Sequence, residues 1–271
     1  IIDYSINLFQ KKPFLHDKIE FEVIPTCYEF SKHLEFKKIL NKREYILYIN
    51  SLKKITFNIL NNYKKISLNE KNKLLFLSKQ INKIKLSKLS YIQKIFYLVN
   101  DCKKYGTLPF AGLARLAFIF TKILKSFVEK KILTQTQYNL FFNQLETMTS
   151  KMEKDYNNFV NNKMVKKSFL NKYGHLRPST YSINSPNYKS NFTKYFTQKK
   201  NLRTTKRKKK FKLSELQLDK INNLFKKNKL NFNSKDFFLF AKKSIELREW
   251  GKFIFTKSID EIFNNLELLG R

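Results

Sequence analysis

Two side chains suited to binding an anion, His175 and Arg177, lie two residues apart in the stretch "YGHLRPSTYS" at 173–182. Gly174 permits a backbone turn that a Cβ would obstruct. Pro178 fixes the far end of the turn and favours an extended conformation at Arg177. Alternate residues on extended backbone point the same way. An imidazole beside a guanidinium then suits an anionic or polyhydroxyl ligand.

The same turn has a structural interpretation. His175 and Arg177 can hydrogen-bond to carbonyl groups and hold the loop against neighbouring helices. If the chain is a purely structural linker, both side chains should be fully paired and inaccessible. The residue types leave both interpretations open.

Arg248 is the second candidate because its surroundings on the predicted last helix are apolar or small. At about 100° per residue, eight residues share one arc of roughly 80°. They are Phe237, Ala241, Ser244, Arg248, Gly251, Phe255, Ile259 and Ile262. A guanidinium there needs acceptors. Glu249, Glu246 or backbone carbonyls would make its role structural, whereas a loop or an anionic ligand would make it functional.

Charge is the dominant feature of the composition. The 271 residues include 55 Lys and Arg against 21 Asp and Glu, a formal net charge of +34. Lys far exceeds Arg, and Asn, Ile and Phe are abundant, as A/T-rich codons would produce. Nucleic-acid surfaces favour the planar fork of Arg. We therefore do not expect nucleic acid as a partner, although a basic helical nucleic-acid-binding protein is the alternative, with its basic run at 206–210.

Compartment and chain ends give further expectations. Two cysteines make neither a disulfide framework nor a metal cluster, which favours a cytoplasmic protein. The most apolar run, "LPFAGLARLAFIF", looks too short for a bilayer and carries Arg115, so we expect no membrane contact. The first residue is not Met, and we expect a fragment of a longer protein.

Hydrophobic periodicity predicts a mainly α fold: a multi-helix bundle with a short β or extended N-terminal segment and a long central loop. The strand covers 19–24 and ends at Pro25. Helices are predicted at 31–62, 69–85, 88–104 (stopped by Gly106), from Pro109, from Thr134 to near Lys172 as one long helix, at 213–228 and at 234–269. The loop covers 173–212.

The stretch "SFLNKYGHLRPSTYSINSPNY" resembles a motif in the central helical region of phosphoenolpyruvate-synthase-like phosphotransferases, including the rifampin phosphotransferases. "PFLHDKIEFEVIPTCYEF", "DCKKYGTLPFAGLARLAF" and "SIELREWGKFIFTKSIDEIFNNLELLG" resemble flanking segments in the same order. Asn187 stands where that family often has Arg, and Ser179 where Gly is common.

The resemblance implies a three-part, ATP- and Mg-dependent enzyme. Residues 1–30 would end an upstream ATP-grasp-type domain or form a connector, and 31–271 would form the helical domain that links it to a downstream phosphohistidine domain. The chain itself lacks a Gly-rich phosphate loop and a Thr-Ser-His motif, so we expect no catalytic residue, cofactor or metal in it. The expected acceptor is a small molecule or a glycan component.

Five side chains are then the candidates for the acceptor or phosphoryl-facing surface. They are His175, Arg177, Tyr181 and Arg248, with Glu249 orienting one of the arginines. Gly174 and Pro178 would shape the turn.

Overall fold

A computed structural model describes residues 27–30, 37–196 and 210–270. The prediction of a mainly α-helical protein is confirmed: helices account for most of the described chain. The predicted strand at 19–24 and most of the 1–30 segment lie outside the described residues, as do 206–209 of the basic run.

The helices follow one another with short connections. They are α1 (Lys42–Asn61), α2 (Tyr63–Leu86), α3 (Tyr91–Asp101), a π-helical turn (Cys102–Thr107), α4 (Leu108–Glu129), α5 (Gln135–Asn143), α6 (Met148–Val160), α7 (Lys166–Tyr173), α8 (Phe192–Tyr195), α9 (Glu215–Lys227) and α10 (Ser234–Leu269). Capping boxes at Asn41, Ser90 and Ser214 fix the starts of α1, α3 and α9, because each side chain satisfies an amide of the first turn.

The prediction of one long helix after Thr134 is wrong. The structure has three helices there, α5, α6 and α7. The hydroxyl of Thr147 accepts from the amide of Ser150 and starts α6 anew. Asn162 takes a left-handed conformation, φ 57°, just after α6 ends. Polar residues that cap helices therefore interrupt an apolar period that looks continuous in the sequence.

Gly106 does not stop a helix, contrary to the prediction. It lies in the π-helical turn, and the chain continues directly into α4 with Pro109 as its second residue. A Cβ on Gly106 would lie 3.0 Å from Cδ2 of Phe255 and 3.1 Å from Cδ2 of Leu77. Gly106 thus serves close packing within a helical path rather than chain reversal.

The described chain divides into two compact units. The first contains residues up to 63, 116–143 and 211–241. Its core is aromatic: Phe120, Phe127, Phe225 and Phe237 are fully buried. Their rings lie 5.2–6.1 Å apart in tilted pairs, the geometry that aromatic quadrupoles favour.

The second unit contains 64–115, 144–210 and 242–271, and therefore the whole described part of the 173–190 turn. Gly251 of α10 lets the helix approach α2 and α4 closely, since a Cβ there would lie 3.1 Å from Leu113 Cδ1 and 3.2 Å from Leu74 Cδ1. Phe169 and Tyr173 of α7 are fully buried. The second half of α10 thus lies in the same unit as the turn and supports it.

One stretch of the described chain, Tyr91–Glu129, is long and apolar enough to cross a membrane, with a window of mean hydropathy 1.5. This stretch comprises α3, the π-helical turn and α4, and α4 alone has 22 residues. The window is 44% buried. Core helices of soluble proteins pass the same test, so length and composition are weak evidence for a span.

Candidate functional site

The turn begins where α7 ends, at Gly174. Its amide donates to Leu170 O at 2.7 Å, and its φ of −61° is one that any residue adopts. The requirement for glycine is steric: a Cβ would lie 2.3 Å from Leu170 O and 3.0 Å from Lys189 Cβ. The turn needs glycine here because a Cβ would clash with the backbone at the end of α7 and would crowd the returning chain at Lys189.

Two backbone hydrogen bonds close the base of the turn. The amide of Tyr188 donates to Leu176 O at 2.8 Å, and the amide of Lys189 donates to Gly174 O at 3.0 Å. Farther along, the hydroxyl of Tyr195 donates to Pro186 O at 3.1 Å. The outgoing and returning chains are thus tied together before any side chain of the candidate site contributes.

His175 contacts α10 through its ring. Nε2 lies 3.1 Å from Phe253 O, and the imidazole packs edge-on against the Phe253 ring, with centroids 4.7 Å apart. A carbonyl only accepts, so Nε2 carries the proton and Nδ1 does not in the neutral ring. Burial, with the positive charges of Lys257 and Arg177, lowers the pKa of His175 to about 3. The imidazole is therefore neutral at pH 7.

Arg177 is the most deeply buried charged side chain of the turn. Its Nη2 forms an ion pair with Oδ1 of Asp260, and the side chains are 4% and 10% exposed. The guanidinium also lies 5.0 Å above the ring of Phe263, and Nη1 is 3.5 Å from Ser182 O. An arginine buried this far needs a paired carboxylate, and Asp260 of α10 supplies it.

Asp260 gathers three donors. Besides Arg177, the amide nitrogen of Asn187 donates to Oδ1 at 2.9 Å, and that of Asn264 lies 3.4 Å from Oδ2. Asn187 thus meets the same carboxylate as Arg177. The sequence reasoning missed Asp260. The one signal was that a buried guanidinium requires an acid, and Glu249, Asp260 and Glu261 were all available on the same helix.

The tip of the turn is exposed to solvent. Pro178, Ser179, Ile183 and Asn184 are exposed, and Tyr181 is 69% exposed. The structure therefore separates the candidates within the turn: His175 and Arg177 lie in its buried base, whereas Tyr181 lies on its surface.

Arg248 and Glu249 form a pair of their own. Oε1 of Glu249 accepts from Nη2 of Arg248 at 2.6 Å and from Nε at 3.2 Å, and both side chains are partly exposed. Asp260 follows Arg248 by 12 residues on α10, about 18 Å along the helix axis. The two arginines are thus anchored at separate points of α10. Glu246, the other carboxylate considered for Arg248, accepts the amide of Glu146 at 2.8 Å.

Within the described ranges, no group of three or more His, Cys, Asp or Glu side chains is placed to hold a metal ion. The arrangement of the turn is that of a rigid loop with a paired, neutralised base and an exposed tip. No family model matches this chain, and no curated protein or solved structure matches it.

Proposed function

We propose that this chain is the helical linking domain of a phosphoenolpyruvate-synthase-like phosphotransferase. It would stand between an ATP-grasp domain and a phosphohistidine domain of the same protein, which would need ATP and Mg. In this proposal the 173–190 turn holds its tip toward the acceptor, a small molecule or glycan component, and His175 and Arg177 are positioning residues beneath it.

Mutual packing of the segments that carry the resemblance supports this proposal. Gly106, from the second segment, packs against Phe255 of the last one. Gly251 of the last segment packs against Leu113 of the second. The 173–190 turn also packs on α10, through the ion pair of Arg177 and Asp260. Residues that pack against one another are expected to resist the drift of the composition toward Lys, Asn, Ile and Phe. The resemblance should therefore survive best in segments that contact one another.

The single observation that carries the role of the turn is the buried Arg177–Asp260 pair beneath an exposed tip. Functional groups are most precise when a rigid scaffold supports a surface loop. Tyr181 is then the candidate that meets the acceptor or the phosphoryl group. Arg248 and Glu249, partly exposed on α10, are the second contributors.

The test uses the full-length protein that contains this chain. Incubation with radiolabelled ATP should give an acid-labile, base-stable phosphohistidine, and a chase with pyruvate, a sugar mixture or rifampin should remove the label. Tyr181→Ala should slow the chase at least about tenfold and leave phosphohistidine formation unchanged, because only the second half-reaction meets the tip. Tyr97→Ala, an exposed tyrosine of α3, is the matched control.

Two results would contradict the proposal in different ways. A full-length protein that forms no phosphohistidine removes the assignment to this class of enzyme. Equal loss of phosphohistidine formation and of transfer in Tyr181→Ala removes the acceptor-facing role of the tip and leaves the class standing.

The net charge of +34 favours a second candidate, a nucleic-acid-binding protein. Binding of a fluorescent RNA or DNA oligonucleotide should then fall steeply between 50 and 200 mM salt, because each neutralised phosphate releases counterions. Deletion of the basic run at 206–210 should weaken it further. Weak binding that the deletion leaves unchanged would argue against this candidate.

A further inference from the structure

We infer that the hairpin formed by the end of α2 and by α3 is a peripheral docking site for an anionic membrane surface. We call its exposed apolar side chains the hairpin patch: Leu86, Tyr91, Ile92, Phe96 and Tyr97. This inference goes beyond the proposed function and does not rest on it. It concerns the second unit alone.

The hairpin patch concentrates large apolar groups in solvent. Leu86 is 85% exposed, Ile92 65% and Phe96 62%. Ile92 and Phe96 are one turn apart on α3 and therefore share a face. The rings of Phe96 and Tyr97 pack edge-on with centroids 5.6 Å apart, which joins the two aromatic groups into one surface. Large apolar side chains exposed together on one helical hairpin are a feature of interaction sites.

The exposure belongs to a well-ordered element. Ser90 and Gln93 form a capping box at the start of α3. Nζ of Lys94 donates to Lys85 O at 3.4 Å, which ties α3 to the end of α2. Nζ of Lys85 donates to Glu261 Oε2 of α10 at 2.9 Å. Leu98, on another face of α3, is fully buried. The helix therefore uses one face for the core and presents the other.

The chain segment around the hairpin patch is predominantly positive. Between positions 79 and 104 there are seven lysines and a single acid, Asp101. Six of these lysines are exposed: Lys79, Lys83, Lys85, Lys88, Lys103 and Lys104. An apolar face bordered by lysines is the composition of helices that lie in the interface of an anionic bilayer, with aromatic rings at the headgroup level.

Charge complementarity selects the occupant. A second copy of this chain, at +34, would bring lysines against lysines. A membrane rich in phosphatidylserine or phosphatidylglycerol supplies both an apolar layer and negative charge, and each lysine near its surface strengthens binding several-fold. The expectation of no membrane contact considered only whether a segment could span a bilayer; a helix that lies on the surface needs neither the length nor the uniform hydropathy of a span.

Vesicle co-sedimentation of the whole chain tests the inference. The probe is extruded vesicles of phosphatidylcholine with 30 or so mole per cent phosphatidylserine, compared with phosphatidylcholine alone. Ile92→Ser/Phe96→Ser removes the centre of the hairpin patch. Leu68→Ser/Leu216→Ser removes two equally exposed leucines, 59% and 65%, that lie elsewhere. Binding is measured at about 0.1 M salt and again at about 0.5 M salt, where dissolved ions screen most of the attraction between lysines and anionic headgroups.

Apolar side chains of the hairpin patch should give vesicle binding that resists high salt, which electrostatic attraction alone does not. Wild type and the Leu68/Leu216 variant should bind the anionic vesicles and keep a measurable fraction of binding at high salt, whereas the Ile92/Phe96 variant should bind at least about fivefold more weakly and lose the salt-resistant fraction. Equal binding of the two variants, or binding by wild type that vanishes entirely at high salt, overturns the inference and leaves only non-specific attraction. Failure to bind vesicles, together with saturable binding of an acidic amphipathic peptide, would show that the occupant is a protein and also overturns it.

Discussion

The base of the 173–190 turn and the hairpin of α2 and α3 reverse the usual places of polar and apolar residues. At the turn, a partly buried histidine and a buried arginine are paired with α10. At the hairpin, leucine, isoleucine and phenylalanine stand in solvent. The histidine and arginine that the sequence suggests for ligand binding thus make structural contacts. In these two regions the exposed large side chains are aromatic and aliphatic.

The contrast has a local cause in each region. Arg177 is buried because Asp260, Ser182 and Phe263 surround its guanidinium with a carboxylate, a carbonyl and a ring face. In α3, Leu98 occupies the core-facing position, whereas Ile92 and Phe96 lie on another, exposed face. Residue type suggests what a side chain can do, but the partners available to it decide whether it does so.

The largest expected effect concerns the buried pair. Asp260→Asn should lower the free energy of unfolding by about 3 kcal/mol, because it leaves the Arg177 guanidinium buried without its counter-charge. Urea unfolding measures this. Glu249→Gln at the partly exposed Arg248 pair is the control and should cost under about 1 kcal/mol. Equal costs for the two variants would mean that burial does not distinguish the two pairs.

Acid should weaken the base of the turn through His175. The pKa of His175 is lowered to about 3 by burial and by Lys257 and Arg177, and it is about 6.5 in the unfolded chain. The unfolded state therefore binds the extra proton, so the contribution of His175 is complete above pH 6.5 and is lost as pH falls below it. Between pH 6.5 and 5 wild type should lose about 2 kcal/mol more than His175→Gln in urea unfolding. Parallel pH profiles for the two proteins would contradict a neutral, buried imidazole.

Two glycines should respond to alanine with opposite signs. Gly174→Ala should cost about 1–3 kcal/mol, because its Cβ would meet the Leu170 carbonyl at 2.3 Å, and backbone cannot yield cheaply. Gly112→Ala meets only the flexible side chain of Glu70, at 3.2 Å. Within α4 it should be neutral or stabilise by up to about 1 kcal/mol, since alanine favours helix. Thermal unfolding of the two variants tests the difference, and a stabilised Gly174→Ala would show that the turn is looser than described.

The smallest effect is expected at the hairpin patch. Ile92→Ser/Phe96→Ser should change the free energy of unfolding by no more than about 0.5 kcal/mol per site, because surface side chains contribute little packing. Urea unfolding in the absence of vesicles measures this. A loss of several kcal/mol would mean that these side chains are part of the core and would move the hairpin to the same class as the turn.

The sequence predicted the elements better than their junctions. The last helix, predicted at 234–269, is Ser234–Leu269 in the structure, and the polar residues inside it, such as Thr256 and Asn265, hydrogen-bond back to carbonyls of the same helix. The breaks around Thr147 and Asn162 were missed, since the same apolar period runs through them, and only capping and left-handed geometry end the helices there. The steric need for Gly174 was foreseen; the π-helical turn at Gly106 was not.

The candidate site was predicted as a turn but not as a set of partners. The sequence places His175 and Arg177 together, yet their acceptors, Phe253 O and Asp260, lie about 80 residues away on α10. Pairing over such a distance depends on how α10 packs beneath the turn, and a single sequence offered several carboxylates on that helix. The assignment of Tyr181, Arg248 and Glu249 to an acceptor surface stays a prediction.

Arg177 and Asp260 should act as one unit that fixes the turn, and a double-mutant cycle measures this coupling. Arg177→Met, Asp260→Leu and the double variant are unfolded in urea beside wild type. Each single variant should be strongly destabilised, while the double variant should recover most of the loss, with a coupling free energy of about 2 kcal/mol or more. A coupling within about 0.5 kcal/mol of zero would show that the two side chains act independently, and the turn would then need another anchor.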